Sequence, residues 1–150
     1  MNDVLIGVRI KKTQPQAQIP VYATAGAAGA DIYACLQEDM IIAPGERVGV
    51  PTGIAIELPD AQVVALVFAR SGLASKQGLA LSNGVGVIDS DFRGEIKVLM
   101  INLGNAAVTV RHGDRIAQIA FMPVRQAAFI EAQELAETQR GEGGFGSTGK

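Results

Sequence analysis

The chain has 150 residues, 48% of them hydrophobic, and a formal net charge of −2, which fits a single domain with an adequate core. A pI of about 5.4 excludes the broad basic surface that duplex nucleic acid requires, so a few local cations must hold any anionic ligand. No segment approaches the ~20 apolar residues of a membrane span. The single cysteine excludes an intramolecular disulfide. We therefore expect a cytoplasmic protein without nucleic-acid or membrane partners.

Alternation of apolar and polar residues, interrupted by turn residues, predicts a succession of short strands in chain order. The first half is predicted to contain strands at 4–10, 40–42, 48–50, 54–58 and 63–68. The second half is predicted to contain a glycine-loosened hairpin at 83–94, then strands at 96–101, 107–110 and 116–121. Short strands with turns at this spacing indicate an all-β sandwich or jelly roll. The high apolar content also suggests surface that is buried in an oligomer.

The C-terminal part of the chain is predicted to differ from this body. Residues 126–138 follow neither a helical nor a strand period, and we expect an extended arm, which makes 1–139 one domain with its arm. Residues 140–150 form a glycine-rich tail that also carries Arg140 and Phe145. An arginine and a ring suit a mobile flap that closes over a bound nucleotide. The alternative is an ordinary solvated terminus.

Three segments carry residues suited to anion chemistry. Arg70 and Ser71 follow the strand at 63–68, where a guanidinium and a hydroxyl can form a phosphate site, although an ordinary turn would look the same. Asp89 follows two apolar hairpin residues, so we expect a half-buried carboxylate suited to base catalysis, with an Asx-turn as the alternative. Arg115 and Gln118 lie near the start of a later strand.

Metal and triad chemistry are more restricted. The single histidine, His112, lies in a polar turn, which disfavours a catalytic role. One cysteine and one histidine cannot supply the ligands of a zinc site. A hard cation held by carboxylate, water and substrate phosphate remains open.

Five segments, taken in order, resemble the five motifs of trimeric dUTPases. They read AGADI at 28–32, RSGLA at 70–74, GVIDSDFRG at 86–94, GDRIAQ at 113–118 and RGEGGFGSTG at 140–149. The resemblance covers nearly the whole chain, and five motifs in order are far more specific than any single one. It implies a jelly-roll or distorted β-barrel subunit of a homotrimer, with active sites at subunit interfaces. It also implies Mg²⁺-dependent hydrolysis of dUTP to dUMP and pyrophosphate, which limits uracil incorporation into DNA and supplies dUMP for dTMP synthesis.

The resemblance also implies roles for individual residues. Asp89 would activate the water that attacks the α-phosphorus. Asp31 would support the metal region through water, with Mg²⁺ held mainly by substrate phosphates. The residues implied in substrate binding are Arg70, Ser71, Gly72, Asn83, Gly86, Val87, Ile88, Phe92, Lys97, Gln118, Arg140, Phe145, Gly146, Ser147 and Thr148.

These residues divide the substrate among them. The hairpin backbone, with Asn83 and Lys97, would read uracil, and Phe145 would stack on it. The segment 70–72 with Gln118 would hold phosphate oxygens, and the tail residues around Phe145 would close over the triphosphate.

Two departures and two alternatives accompany the resemblance. Phe92 stands where the family usually has Tyr, so the ring that blocks a 2′-hydroxyl lacks its phenol, and Ala69 replaces a common Pro. A dCTP deaminase of the same superfamily would need a catalytic Glu in the hairpin region, for which Glu95 is the nearby candidate. A regulatory protein that uses the fold to bind partners is the third possibility.

Overall fold

The computed structural model describes residues 5–146, which contain eleven strands and one short helix. In chain order the elements are β1 Arg9–Lys12, β2 Ala30–Tyr33, β3 Met40–Ile42, β4 Arg47–Pro51, β5 Ile54–Glu57, β6 Val63–Ala69, α1 Ser71–Gln77, β7 Leu79–Leu81, β8 Gly86–Ile88, β9 Lys97–Asn102, β10 Val108–Val110 and β11 Arg115–Pro123. No helix within residues 5–146 is long and apolar enough to cross a membrane.

The strands pair antiparallel into four sheets. The largest has the order β2-β11-β6-β8, a second has the order β4-β9-β7, and β1-β5 and β3-β10 form two pairs. Neighbours in the sheets are distant in sequence, as jelly-roll connections require. The all-β prediction is confirmed as a mostly-β fold with one short helix. The prediction of a distorted barrel is wrong for residues 5–146, because the hydrogen-bonded sheets do not close.

The core is aliphatic, as a chain without tryptophan must build it. Ile32, Ile42 and Ile54 are completely buried, and strand alternation in β9 buries Val98 and Met100. The side-chain amide of Asn102, which is completely buried, is fully satisfied. Its Nδ2 donates to two backbone carbonyls and its Oδ1 accepts from a backbone N–H, which removes the cost of burying it.

Within residues 5–146, the four-stranded sheet has one fully buried face and one face that is only partly buried. Ala65 and Val67 of β6, with Ile119 of β11, lie in the core at 0%, 4% and 1% exposure. Because side chains alternate along a strand, Leu66 and Phe68 lie on the other face, where both are only partly buried. An apolar sheet face left partly open in the single chain is the kind of surface that oligomers bury.

The structure departs from the predicted elements in a few places. The strand expected at 4–10 is β1, Arg9–Lys12, paired with β5. Three elements were not predicted. β2 and β7 are too short for a clear period, and α1 begins where Ser71-Gly72 indicated a turn. Gly78 ends α1 in the left-handed region, at φ 72°, with its N–H bonded to the Ala74 and Leu73 carbonyls.

The C-terminal arm is extended and exposed. Between residue 124 and residue 146 there is neither strand nor helix. The large apolar side chains of the arm, Phe129, Ile130 and Leu135, are 98%, 87% and 88% exposed. The arm therefore has no packing partner within the described part of its own chain.

Candidate active site

The hairpin segment surrounds a cavity of about 290 Å³. The cavity lies between β8 and β9, and its lining is mostly apolar. It brings together seven of the residues that the sequence assigned to the reaction: Asn83, Gly86, Val87, Ile88, Asp89, Phe92 and Lys97.

The hairpin backbone is shaped by a tight turn before β8. Gly84 has φ +71°, a conformation that favours glycine, and the Val85 N–H donates to the Asn83 carbonyl at 2.8 Å. β8 pairs with β6 along one side and is the last strand of its sheet. In the part of the chain that the structure describes, the peptide groups on its other side therefore have no strand partner, and their residues line the cavity.

Asp89 follows β8 at the cavity wall. Its side chain is exposed in the single chain, so the half-buried position predicted from the sequence is wrong for one chain alone. The Asp89 carbonyl accepts the Phe92 N–H at 3.2 Å, which closes a turn. Arg93 Nη1 donates to the Ser90 carbonyl at 2.7 Å and braces the same turn.

Phe92 lies over the backbone of Gly94. A Cβ on Gly94 would come within 2.7 Å of the ring Cζ atom, so the glycine is needed for this position of the ring. The ring is 45% exposed and lines the cavity beside Asp89. The exposed part of the ring is therefore open to a ligand in the cavity.

Glu95, the candidate acid of a deaminase, also lines the cavity. Its Oε1 accepts the Gly53 N–H at 2.8 Å, which ties the hairpin to the turn before β5. Burial, with a contribution from the Glu95 carboxylate, raises the pKa of the nearby Cys35 thiol. That thiol stays neutral at physiological pH and is unsuited to act as a nucleophile.

A second group of polar side chains lies where β2, β11 and the end of β6 meet. Arg70 Nε donates to Asp31 Oδ1 at 3.1 Å, and Arg115 Nη1 lies 3.5 Å from Asp31 Oδ2. Arg70 Nη1 also donates to the Arg115 carbonyl at 3.3 Å. We call Asp31, Arg70, Arg115 and Gln118 the arginine cluster. Two guanidinium groups around one carboxylate leave a net positive charge, which suits an anion.

Gln118 joins this cluster through the backbone. Its Nε2 donates to the Ala69 carbonyl at 3.0 Å, at the end of β6. Gly29 makes room for it, because a Cβ there would lie 2.7 Å from Gln118 Oε1. Ser71 and Gly72 begin α1 and are exposed, and the N–H groups of a first helical turn have no partner inside the helix.

The cavity and the arginine cluster belong to opposite faces of one sheet. Val67 and Ile88, whose side chains point into the core, line the cavity. Gln118 stands opposite both Asp31 and Phe68 in the register of the sheet, and residues directly opposite share a face. In one chain, therefore, the cavity and the arginine cluster point away from each other, and we call these two groups the half-sites.

The described tail residues, 140–146, do not line the cavity. Arg140 Nε donates to the Gly143 carbonyl at 2.7 Å within a local turn, and the Phe145 ring is fully exposed. Gly146 is the last described residue, and the tail contributes nothing to the cavity within residues 5–146. Ser147 and Thr148 lie outside the described residues.

His112 has a structural contact, in line with its predicted place in a turn. Its Nδ1 accepts the Leu36 N–H at 3.2 Å. This bond joins the turn before β11 to the segment after β2 and takes up one ring nitrogen.

Sequence reasoning missed three residues that shape these groups. Gly29 and Gly94 are required by close approaches of Gln118 and Phe92, and a glycine inside each motif was the available signal. Arg115 was noted for its place near a strand start without a role. Its partner Asp31 is distant in sequence, so only the fold could reveal the pair.

Comparisons with known proteins show which family this small antiparallel β protein resembles. The family model described as dUTPase matches residues 15–149. A deoxyuridine 5'-triphosphate nucleotidohydrolase of Desulfitobacterium hafniense is 56% identical over 149 residues, 99% of each chain. A protein of the same name from Hydrogenobaculum sp. is 50% identical, covering 93% of this chain and 96% of its own.

A solved structure agrees on the fold. The G164S dUTPase of Staphylococcus bacteriophage 80alpha with dUpNHpp aligns with a TM-score of 0.87 at 23% identity, over 96% of this chain and 99% of that one. The chain belongs to the dUTPase family.

Proposed function

We propose that this chain hydrolyses dUTP to dUMP and pyrophosphate, with Mg²⁺. The observation that carries the proposal is the position of Asp89, a water-accessible carboxylate at the wall of a cavity of about 290 Å³. The names of relatives up to 56% identical support dUTP as the substrate. In a cytoplasm this reaction limits uracil incorporation into DNA and supplies dUMP for dTMP synthesis.

The free edge of β8 suits uracil. Uracil presents an N–H between two carbonyl groups, and a strand edge offers carbonyl and N–H groups in alternation. Gly86, Val87 and Ile88 supply that edge, and Asn83 and Lys97 stand beside it. Cytosine presents the opposite pattern at two of its three positions, so the same edge would leave polar groups unpaired.

Asp89 acts as the general base on water. As the water oxygen attacks the α-phosphorus, its proton passes to the carboxylate and pyrophosphate leaves with the electrons of the broken P–O bond. Phe92 packs under the deoxyribose, where its ring leaves no room for a 2′-hydroxyl. Arg70, Gln118 and the exposed N–H groups of Ser71 and Gly72 bind phosphate oxygens.

The donor set fits a metal ion held chiefly by the substrate. Asp31 has both oxygens engaged by arginine side chains, and residues 5–146 contain no cluster of three or more acidic, Cys or His side chains suited to a metal. Mg²⁺ commonly keeps its waters and binds through phosphates with one or two carboxylates, so Asp31 would meet it through water. When bound, the ion neutralises charge on the triphosphate.

The two half-sites are completed by a second copy of the chain in a homotrimer. The partly exposed apolar face with Leu66 and Phe68 supports this assembly, and so does the separation of Asp89 from the arginine cluster by the sheet. A closed ring of copies can place the cavity of one subunit against the arginine cluster of the next.

The tail, residues 140–150, closes over the bound nucleotide. Phe145 is fully exposed, and burying it on the uracil ring is favourable. Arg140, Gly146, Ser147 and Thr148 then contact the phosphates, with charge-assisted bonds that offset the cost of ordering glycines.

One assay separates this function from its alternatives. Pyrophosphate release should be fast with dUTP and far slower with dCTP, dTTP and UTP. Ammonia release from dCTP would instead indicate the deaminase, in which Glu95 would be the acid. The Gly53 contact of Glu95 disfavours that role. Absence of turnover with all four nucleotides would contradict the proposal and favour a purely regulatory binding protein.

A further inference from the structure

The start of β11 contains an irregularity that reorients one arginine. In the pairing of β11 with β2, Gln118 stands opposite Asp31 and Ala117 opposite Ile32, but Arg115 stands opposite Tyr33. The register therefore shifts between Arg115 and Ala117, and β11 has one residue more than β2 at this point. A β-bulge of this kind re-aims side chains and is frequent beside active sites.

The bulge decides the face on which Arg115 lies. In a regular strand, Arg115 and Gln118 would point to opposite faces, because three positions separate them. The bulge instead puts Arg115 opposite Tyr33, on the face shared by Asp31 and Gln118. Its guanidinium then comes within 3.5 Å of Asp31 Oδ2.

Arg115 also fixes Arg70 through its own carbonyl oxygen. Arg70 Nε is bound to Asp31 Oδ1, and Arg70 Nη1 to the Arg115 carbonyl. These two bonds fix the plane of the Arg70 guanidinium, and within residues 5–146 its Nη2 has no hydrogen-bond partner. The Asp31 side chain is 13% exposed and that of Arg70 28%, whereas that of Arg115 is 52% exposed. Arg115 therefore braces the carboxylate from the solvent side.

We propose that Arg115 is a positioning residue for dUTP hydrolysis, which holds Asp31 so that Arg70 presents its free N–H groups to the triphosphate. This inference rests on the proposed function and adds to it a residue that reaches the substrate only through Asp31 and Arg70. A misplaced phosphate ligand can cost on the order of 10- to 100-fold in rate.

The test compares Arg115→Met with the wild type on dUTP. We expect kcat/KM to fall about 10- to 100-fold, while inhibition by deoxyuridine, which lacks phosphates, is unchanged. Arg115→Lys, which keeps a cation near Asp31, should recover part of the loss. Arg111→Met is the matched control, because that arginine lies just before β11, at the start of the preceding turn, and pairs with Asp39 at 3.4 Å. It should behave like the wild type.

A double-mutant cycle tests whether Arg115 acts on the reaction through Arg70 or independently of it. If Arg115 acts through Arg70, then Arg115→Met should change kcat/KM little once Arg70 is Ala, since contacting residues are non-additive. Equal kcat/KM for Arg115→Met and the wild type, or independent losses that multiply together, would overturn the inference. A wild type without dUTP hydrolysis would instead overturn the proposed function. In that case, calorimetry still measures the affinity of each variant for inorganic triphosphate. Equal affinity in Arg115→Met and the wild type would reject the positioning role of Arg115.

Discussion

Val67 and Phe68 are neighbours in β6, yet they belong to different half-sites. Val67 lines the cavity beside Asp89, and Phe68 stands opposite Gln118 on the other face of the sheet. Because successive side chains of a strand point to opposite faces, the sheet itself separates the Asp89 carboxylate from the arginine cluster. Under the proposed function, a nucleotide that contacts both would lie between two copies of the chain.

Replacing Asp89 by Asn should abolish turnover and leave dUTP binding intact. The amide keeps the size of the side chain but cannot accept the proton of the attacking water, so the rate should fall at least roughly 10²–10⁴-fold. Pyrophosphate release and the Kd of a non-hydrolysable dUTP analogue measure the two effects. Asp91→Asn, two residues along the same turn, is the control and should remain active. Near-normal turnover in Asp89→Asn would remove the assigned base.

Phe92 should exclude UTP without a phenol, because exclusion depends on the volume of the ring. Phe92→Tyr should therefore leave the ratio of kcat/KM for dUTP and UTP nearly unchanged. Gly94→Ala should reduce that ratio, because the new Cβ would meet the ring at 2.7 Å and displace it. A wild type that accepts both nucleotides equally, with selectivity gained in Phe92→Tyr, would show that the phenol is needed.

The body of the fold followed from the sequence where apolar alternation was long. β6 was predicted to within one residue and β11 to within two, because each is a mainly apolar run bounded by turn residues. β2 and β7 were missed, because three or four residues that include Asp31 or Ala80 give no period. α1 was missed because Gly72 reads as a turn, and tertiary context overrides that weak local preference.

The site followed from the sequence only as separate motifs. The resemblance assigned Asp31, Arg70 and Asp89 to one reaction, and the structure splits them between the two faces of a sheet. Alternation within one strand does not predict which residues of different strands share a face of the sheet. The bulge that turns Arg115 toward Asp31 likewise depends on how β11 pairs with β2. The exposure of Asp89 was also missed, since the apolar pair before it suggested burial.

Removing residues 140–150 should leave the assembly folded and cut kcat/KM severely. Fixing a glycine-rich segment costs about 1–2 kcal/mol per residue, so the tail should be ordered only when Phe145 and Arg140 bind the triphosphate. Amide exchange of the tail should therefore be fast without ligand and with dUMP, and slow with a non-hydrolysable dUTP analogue. Equal protection in the three states would mean that the tail is a fixed structural element.

The partly exposed face of the four-stranded sheet, which carries Leu66 and Phe68, should be an oligomer interface. Leu66→Asp places a charge on that face and should convert a homotrimer into smaller species, because an unpaired buried charge is costly. Ile41→Asp is the matched control, since Ile41 is 65% exposed on β3 of another sheet. Light scattering measures both variants. A wild type that is monomeric and fully active would rule out the shared site.

Complementation between two inactive variants tests the central claim most directly. Asp89→Asn and Arg70→Ala chains carrying different tags are co-expressed, and oligomers that contain both tags are isolated. If each site takes Asp89 from one copy and Arg70 from the next, one site in each mixed trimer is intact, which gives about one third of wild-type pyrophosphate release. Mixed oligomers no more active than either parent would contradict a site shared between copies.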